Sequence, residues 1–244
     1  MISVCIATFN GEKYIVEQLN SILPQLRADD EVIISDDSST DNTVALITAF
    51  KDKRIRLFTD QKFRNPIFNF EHCLVHAKNP IVFLSDQDDI WMPDKVQTFL
   101  KFFNEGFEVI VCDAYIVDEN LSIKGGSFFE NRKSGPGIIK NLMKNSYLGC
   151  CMAFKKSLLD LALPFPKDIP MHDIWLGFVA GLGFKVKFID ERLVKYRRHE
   201  ENKTTASEPS SNGIWKMLLL RFNLIRYLPK LLKKRRKIGE ISKR

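Results

Sequence analysis

The chain of 244 residues lacks several features that would announce a function. It has no Gly-x-Gly-x-x-Gly and no Gly-Lys-Ser/Thr loop, which argues against a dinucleotide-dependent enzyme and a P-loop NTPase. Its five cysteines, Cys5, Cys73, Cys112, Cys150 and Cys151, show no metal-ligand spacing. An odd count with two adjacent thiols is also a poor disulfide framework, so a reducing, cytosolic environment is expected. No uncharged apolar run reaches membrane-spanning length. Met1 leads straight into the strand-like Ile2 to Ala7 with no basic segment or cleavage site, so no signal peptide is expected. Internal repeats and low-complexity segments are missing too. With 45% hydrophobic and 11% aromatic residues, the chain can bury one large α/β core or two small ones.

The net charge of +7 is unevenly placed. From Ile214 to Arg244 there are eleven Lys or Arg and one acid, Glu240, so the tail carries +10 and the remainder −3. Such asymmetry points to an anionic partner for the tail alone. The stretch from Ile214 to Leu228 is apolar, broken by Lys216, Arg221 and Arg226, with Trp215, Phe222 and Tyr227 suited to a headgroup boundary. Pro229 ends it, and Lys230 to Lys237 holds six basic residues in eight. The tail thus reads as an amphipathic helical segment for an anionic membrane surface; packing on the body as an ordinary terminal helix is the competing reading. The acidic body and scarce tail aromatics argue against nucleic acid.

Strand and helix patterns alternate through the first hundred residues, which implies a parallel, doubly wound sheet. Strands are expected at Ile2–Ala7, Val32–Ile34, Ile55–Phe58 and Ile81–Leu84, and a helix at Ile67–Ala77. Another helix carries Tyr14, Ile15, Leu19 and Ile22. Ser39 or Thr40 is expected to cap the helix that carries Val44 and Ile47. Further on, Phe107 to Val117 is strand-like, Lys124 to Gly137 reads as a mobile loop holding Phe128 and Phe129, and Lys185–Ile189 with Arg192–Tyr196 reads as a strand pair.

Three strand ends carry polar turns: Thr8 to Asn10, Asp36-Asp37, and Asp86-Gln87-Asp88-Asp89. In a parallel sheet these turns open on one edge, where ligands of open α/β sheets bind. Carboxylates as close as Asp86 and Asp88 repel one another, and a cation such as Mg2+ or Mn2+ relieves that cost. Together the turns suggest a nucleotide-diphosphate pocket, with Asp37 able to accept from a base N–H. The same residues also read as a solvated acidic turn before the helix near Pro93, and as a helix start at Asp37.

Taken in order, these segments resemble family 2 glycosyltransferases of the GT-A fold, over roughly residues 1 to 205. The marks are Ile6-Ala7-Thr8-Phe9-Asn10-Gly11, Ser35-Asp36-Asp37-Ser38, Leu84-Ser85-Asp86-Gln87-Asp88-Asp89-Ile90-Trp91, Gly149-Cys150, His172-Asp173, and Tyr196-Arg197-Arg198-His199 with Asn202. The Asp-Gln-Asp-Asp-Ile-Trp form is most similar to bacterial rhamnosyltransferase-type members that build surface polysaccharides. The resemblance implies an α/β fold with a Rossmann-like, mainly parallel central sheet flanked by helices. Residues 1–105 would form a nucleotide-sugar-binding half and 106–205 an acceptor-binding half, followed by a linker at 206–213 and the basic helical tail at 214–244. It implies an inverting, metal-dependent transfer from a dTDP-rhamnose or UDP-hexose donor to a saccharide or lipid-linked acceptor, at the inner face of the cytoplasmic membrane. An inactive nucleotide-sugar-binding module and a nucleotidyltransferase are the alternatives.

The family's roles then fall on particular positions. Thr8, Asn10, Asp37 and Asp86 match nucleotide-binding residues, and Asp88 with His199 the metal ligands. Asp173 matches the general base, with His172 in place of a more usual Glu. Trp91, Asp113, Gly149, Cys150 and His172 are expected at the donor sugar or acceptor. Ser38 stands where many members have glycine and must tolerate that glycine's backbone shape. An inverting transfer needs one base for the acceptor hydroxyl and one cation for the departing diphosphate, which Asp173 and the Asp86–Asp88 turn would supply.

Overall fold

The apolar runs of the sequence come together, in a computed structural model, as one mixed sheet of eight strands with helices on its faces. The structure describes residues 1–199 and 214–241, so the expected linker at 206–213 and Asn202 lie outside the described residues. Strands β1 (Ile2–Thr8), β2 (Glu31–Asp36), β3 (Ile55–Phe58) and β4 (Ile81–Asp86) are parallel, in the order β3-β2-β1-β4. Val4, Cys5, Ile6, Val32, Ile33, Ile34 and Val82 to Leu84 are all fully buried, as strands covered on both faces require. Helices α1 (Ile15–Ile22), α2 (Thr43–Ala49) and α3 (Pro66–His76) cover this half. The Asn65 side chain caps α3 by accepting from Ile67 N at 2.9 Å, with Pro66 at the first helical position.

The second half continues the same sheet. After β5 (Ile90–Trp91) and α4 (Lys95–Asn104) come β6 (Val109–Val117), the short helices α5 (Phe128–Arg132) and α6 (Ile138–Met143), β7 (Met152–Lys155), α7 (Ser157–Ala162), α8 (His172–Ala180) and β8 (Val186–Arg197). β7 lies antiparallel between β4 and β6, β8 is parallel to β6, and β5 closes the edge antiparallel to β8. One apolar core runs through both halves.

Three local expectations change. The residues expected to form a strand pair, Lys185–Ile189 and Arg192–Tyr196, are one strand, bulged opposite Cys112 and Asp113. The stretch from Lys124 to Gly137 is anchored rather than open: Ser127 accepts from Glu130 N and the Glu130 carboxylate accepts from Ser127 N at 2.7 Å, a capping box that starts α5. Its two phenylalanines turn inward, Phe128 buried and Phe129 against Phe188. Neither Ser39 nor Thr40 caps α2, whose N-cap is Asn42, because Ser39 is drawn back to Asp36 and Asn10.

The tail forms α9 (Ile214–Ile225) and α10 (Leu228–Ile241), and parts of both lie against the body. Leu224 and Leu231 are buried, and Tyr227 stacks edge-on against Trp175 while donating to Asp168 at 2.7 Å. Lys234 Nζ donates to Leu163 O at 2.6 Å, just past the end of α7, and Arg235 donates to Leu182 O, just past the end of α8. Cations there complement the helix dipoles, so packing accounts for part of the basic run. The side chain of Trp215 lies outside the described residues. No helix among the described residues is long and apolar enough to cross a membrane.

Candidate active site

The parallel order β2-β1-β4 brings the three polar turns to one sheet edge. The turn after β1 is built by its neighbours. Gln87 clasps the backbone of Phe9, accepting from Phe9 N at 2.9 Å and donating to Phe9 O at 3.1 Å. A side chain at Gly11 would put its Cβ 2.5 Å from Gln87 Oε1 and would push that amide off the Phe9 backbone. Asn10 is left-handed (φ 48°), with its amide N–H donating to Ser39 Oγ and its side-chain oxygen accepting from Thr40 N at 2.9 Å. Thr8 is buried and its hydroxyl donates to Asp36 at 2.9 Å. Thr8 and Asn10 therefore hold the turn's shape.

The turn after β2 is fully supplied with donors. Asp36 accepts from Thr8 Oγ1, Ser39 N and Ser39 Oγ. Asp37 accepts from Phe63 N at 2.6 Å and Asn65 N at 3.3 Å, which ties the 61–65 loop beside it. Ser38 adopts φ 62°, the left-handed shape that a glycine would take at lowest cost.

The turn after β4 is different. Asp88 Oδ2 and His199 Nε2 lie 2.8 Å apart, with the His199 ring over Tyr14. Asp89 is buried; one oxygen accepts from Arg197 N at 2.9 Å and the other has no hydrogen-bond partner among the described residues. Burial, and then Asp88, pushes the Asp89 carboxyl up to about 7. Burial followed by Asp89, Asp88 and Asp173 pushes Asp86 well above the usual carboxylate range. Arg197, itself buried, braces the turn: its Nε donates to Asp88 O at 2.8 Å, and its guanidinium reaches Glu17 at 2.5 Å and Glu119 O at 2.6 Å.

Asp173 opens α8 and is buried. Its carboxylate accepts from Ile174 N at 2.7 Å, and the Asn145 side chain and Gly149 N–H also face it. Burial outweighs these donors and raises its pKa to about 6. His172 stacks on Phe70 at 4.0 Å, with its Nε2 against Gly149, where a Cβ would meet it at 2.8 Å. Burial pushes His172 down to about 3, so its ring is neutral. The structure thus gathers Asp86, Asp88, His199 and Asp173, with Gly149, Cys150 and His172 beside them.

Two expected sugar contacts are placed elsewhere. Trp91 is a core residue, 2% exposed, packed on Phe83 and on the Lys95 ammonium 3.9 Å from its ring. Asp113 is buried and accepts from Phe129 N at 2.8 Å and Ala114 N at 2.8 Å, anchoring α5. Sequence reasoning missed Asp89, Lys95, Arg197 and Asn145. Lys95 is fully buried and donates to Cys150 O at 2.6 Å, tying the acidic turn to the segment that carries Gly149. No local pattern marks it; Asp89 and Arg197 stand inside motifs already quoted, but only their burial gives them a part.

A divalent cation fits this chemistry. Ligand atoms of Asp86, Asp89 and Cys150 lie within 4.8 Å of one another, and the unpartnered Asp89 oxygen adds an acceptor. Lys95 already draws Asp86 and Asp89 toward their charged forms, so this inner set has a resident cation. Asp88 and His199 offer the outer oxygen and nitrogen donors, a pair suited to Mn2+ or Mg2+ with phosphate oxygens completing the shell.

The mixed sheet with its carboxylate turns gathered at one edge has the GT-A fold that the sequence resemblance implies. The chain belongs to glycosyl transferase family 2, whose family model matches residues 3–161. It is 33% identical over 220 residues to the dTDP-rhamnosyl transferase RfbG of Shigella flexneri, covering 82% of this chain and 74% of that one. It is 26% identical to a UDP-Glc:α-D-GlcNAc-diphosphoundecaprenol β-1,3-glucosyltransferase of Escherichia coli, covering 73% of this chain and 70% of that one. S. aureus TarS in complex with UDP-GlcNAc superposes with a TM-score of 0.70 at 21% identity, over 90% of this chain and 65% of that one. A mannosyltransferase from Pyrobaculum calidifontis in complex with GDP-Man and Mn2+ gives 0.64 at 21% identity, over 82% and 58%. The chain spans about 66% of an uncharacterised Nostoc glycosyltransferase at 28% identity, so it is shorter than several proteins it matches.

Proposed function

We propose that the protein is an inverting, metal-dependent glycosyltransferase that moves a sugar from a nucleoside-diphosphate donor to a saccharide carried on a lipid diphosphate. The observation that carries this reading is the pairing of Asp88 and His199 at 2.8 Å beside a buried Asp173 held up to about 6. When bound, Mg2+ or Mn2+ would neutralise the departing diphosphate. Asp88 and His199 would hold the cation, and Asp86 would lie nearer the ribose or sugar. Asp173, ionised at neutral pH, takes the proton of the acceptor hydroxyl as that oxygen bonds to the anomeric carbon. The bond from that carbon to the donor phosphate breaks on the opposite face, and the configuration inverts. The likeness to RfbG favours a dTDP-rhamnose donor, and the UDP-Glc relative a UDP-hexose.

The test is binding and turnover across a panel of nucleotides and nucleotide sugars, with Mn2+ and with chelator. Saturable, Mn2+-dependent binding of one nucleotide sugar is expected; nucleotide-independent behaviour would overturn the reading. Peripheral attachment to an anionic membrane face belongs to the same proposal. On the tail, Lys230, Lys233, Arg236 and Lys237 are exposed together with Leu232 and Ile238. The protein should float with anionic vesicles at low salt, and a variant with these four cations changed to Gln should float much less.

A further inference from the structure

A concavity of about 500 Å³ is bordered by α5 and α6. Its volume falls in the range of small-molecule sites. Arg132, Lys133, Lys140 and Lys144 line it, with no acidic residue among its walls. Lys133, Lys140 and Lys144 make no ion pair among the described residues. The remaining wall is apolar: Ile139 and Met143, one turn apart on α6, are each 70% exposed. Together they make a small exposed apolar patch set among cations.

One wall of the cavity, Arg132, also lies within electrostatic reach of Asp173. Asn141 donates to Ile174 O at 3.3 Å, and Ile138 lies against Gly181, so α6 is fixed on the helix that Asp173 opens. Asn145, just past α6, faces the Asp173 carboxylate. On the other side, Arg221 of α9 donates to Leu142 O and Met143 O at 2.5 Å, which brings the tail, with Leu219 58% and Phe222 60% exposed, up to the end of α6.

A ligand matching this surface is an anion joined to an apolar chain, with a polar group reaching Asp173. We propose that this cavity binds the lipid-diphosphate portion of the acceptor. Its diphosphate would rest on Lys133, Lys140 and Lys144, and its first lipid units on Ile139 and Met143, while the attached sugar extends to Asp173. Several cations without competing carboxylates suit a diphosphate. The inference rests on the lipid-linked acceptor of the proposed function and locates it.

The test uses the full chain and farnesyl diphosphate as probe, with farnesol, inorganic pyrophosphate and phosphatidylglycerol vesicles as comparison arms. Farnesyl diphosphate should bind saturably, at least about tenfold more tightly than farnesol or pyrophosphate, and K140Q/K144Q should weaken it by about tenfold or more, since each lost charged contact is worth several-fold. I139S/M143S should weaken farnesyl diphosphate but not pyrophosphate. Excess dTDP or UDP with Mn2+ should not displace the probe and should bind both variants normally, which also shows that they fold. Equal binding of pyrophosphate would reduce the cavity to an anion site, and displacement by nucleotide would put the probe in the donor site. Unchanged binding by K140Q/K144Q, or binding to vesicles alone, would remove the lipid-diphosphate site. The nucleotide-sugar panel reports separately on the donor reading: if it fails while farnesyl diphosphate binds as described, the cavity stands and the transferase reading falls.

Discussion

The turns after β2 and β4 flank the same strand, are rich in aspartate, and behave oppositely. After β2, every carboxylate is met by nearby donors: Asp36 by three, Asp37 by two backbone N–H groups, and Asp41 by Thr43 and by Glu12 N. Burial alone would raise Asp41, but these hydrogen bonds outweigh it and its pKa ends low. After β4, burial meets too few donors and too many like charges, so Asp86 and Asp89 are pushed up. A carboxylate supplied with donors is part of the skeleton; one left short of them is held ready for a proton or a cation.

That contrast can be broken most severely at Asp173, whose burial outweighs its donors and pushes its carboxyl up as in the β4 turn. Asp173→Asn should lower kcat by roughly 10²–10⁴-fold, the range for loss of a general base, while nucleotide-sugar binding stays normal. In the unaltered protein, kcat should rise with pH through about 6 and level off above it, because the base must be ionised. An unchanged kcat, or the same pH limb in the variant, would place the base elsewhere.

The next effect is at the outer ligands. Asp88→Asn should nearly abolish transfer with the fold intact by circular dichroism. His199→Ala should lose on the order of 10- to 100-fold and recover partly at high Mn2+. Full activity of either variant in chelator would remove the metal assignment.

A structural effect is expected on the other side of the comparison. Asp36→Ala leaves Thr8 and Ser39 donors without their acceptor in a buried turn, and should cost about 1–3 kcal/mol in denaturant unfolding. If this variant instead lost donor binding at unchanged stability, the β2 turn would belong to the ligand and the contrast would dissolve.

The smallest effect tests the sign of the strain at Asp89. A carboxyl with its folded pKa raised contributes stability that is present below the unfolded value near 4 and lost as pH rises through about 7. In chelator, the Tm of Asp89→Asn minus that of the unaltered protein should therefore grow from pH 5 to pH 8. The asparagine keeps an acceptor for Arg197 N, and comparing the two proteins cancels the opposite contribution of His172. A flat or falling difference would show that Asp89 is not destabilised by its surroundings.

Much of this protein was legible in its residues. The β-branched runs and their spacing determine the parallel strands, because a strand buried on both faces needs an unbroken apolar run. The acidic turn after Ile81–Leu84 declares its own electrostatic cost, and Ser38 declares a left-handed position in a motif that elsewhere holds glycine. The sequence also determined a basic, amphipathic tail. Tertiary structure alone decided which aspartates are satisfied. Asp37 is met by Phe63 and Asn65, Asp89 by one N–H from Arg197, and Asp173 by groups at 145 and 149. It decided that Lys95, an ordinary residue near a helix start, is sealed against Trp91 and Cys150 O. It also decided that Lys234 and Arg235 of the tail end the helices of the body while α6 offers other cations to a cavity. The physical reason is range. Periodicity and turn chemistry are set by residues a few positions apart, whereas desolvation and hydrogen-bond supply depend on atoms brought together from distant parts of the chain, as Asp37 and Phe63, 26 apart, and Lys95 and Cys150, 55 apart, demonstrate.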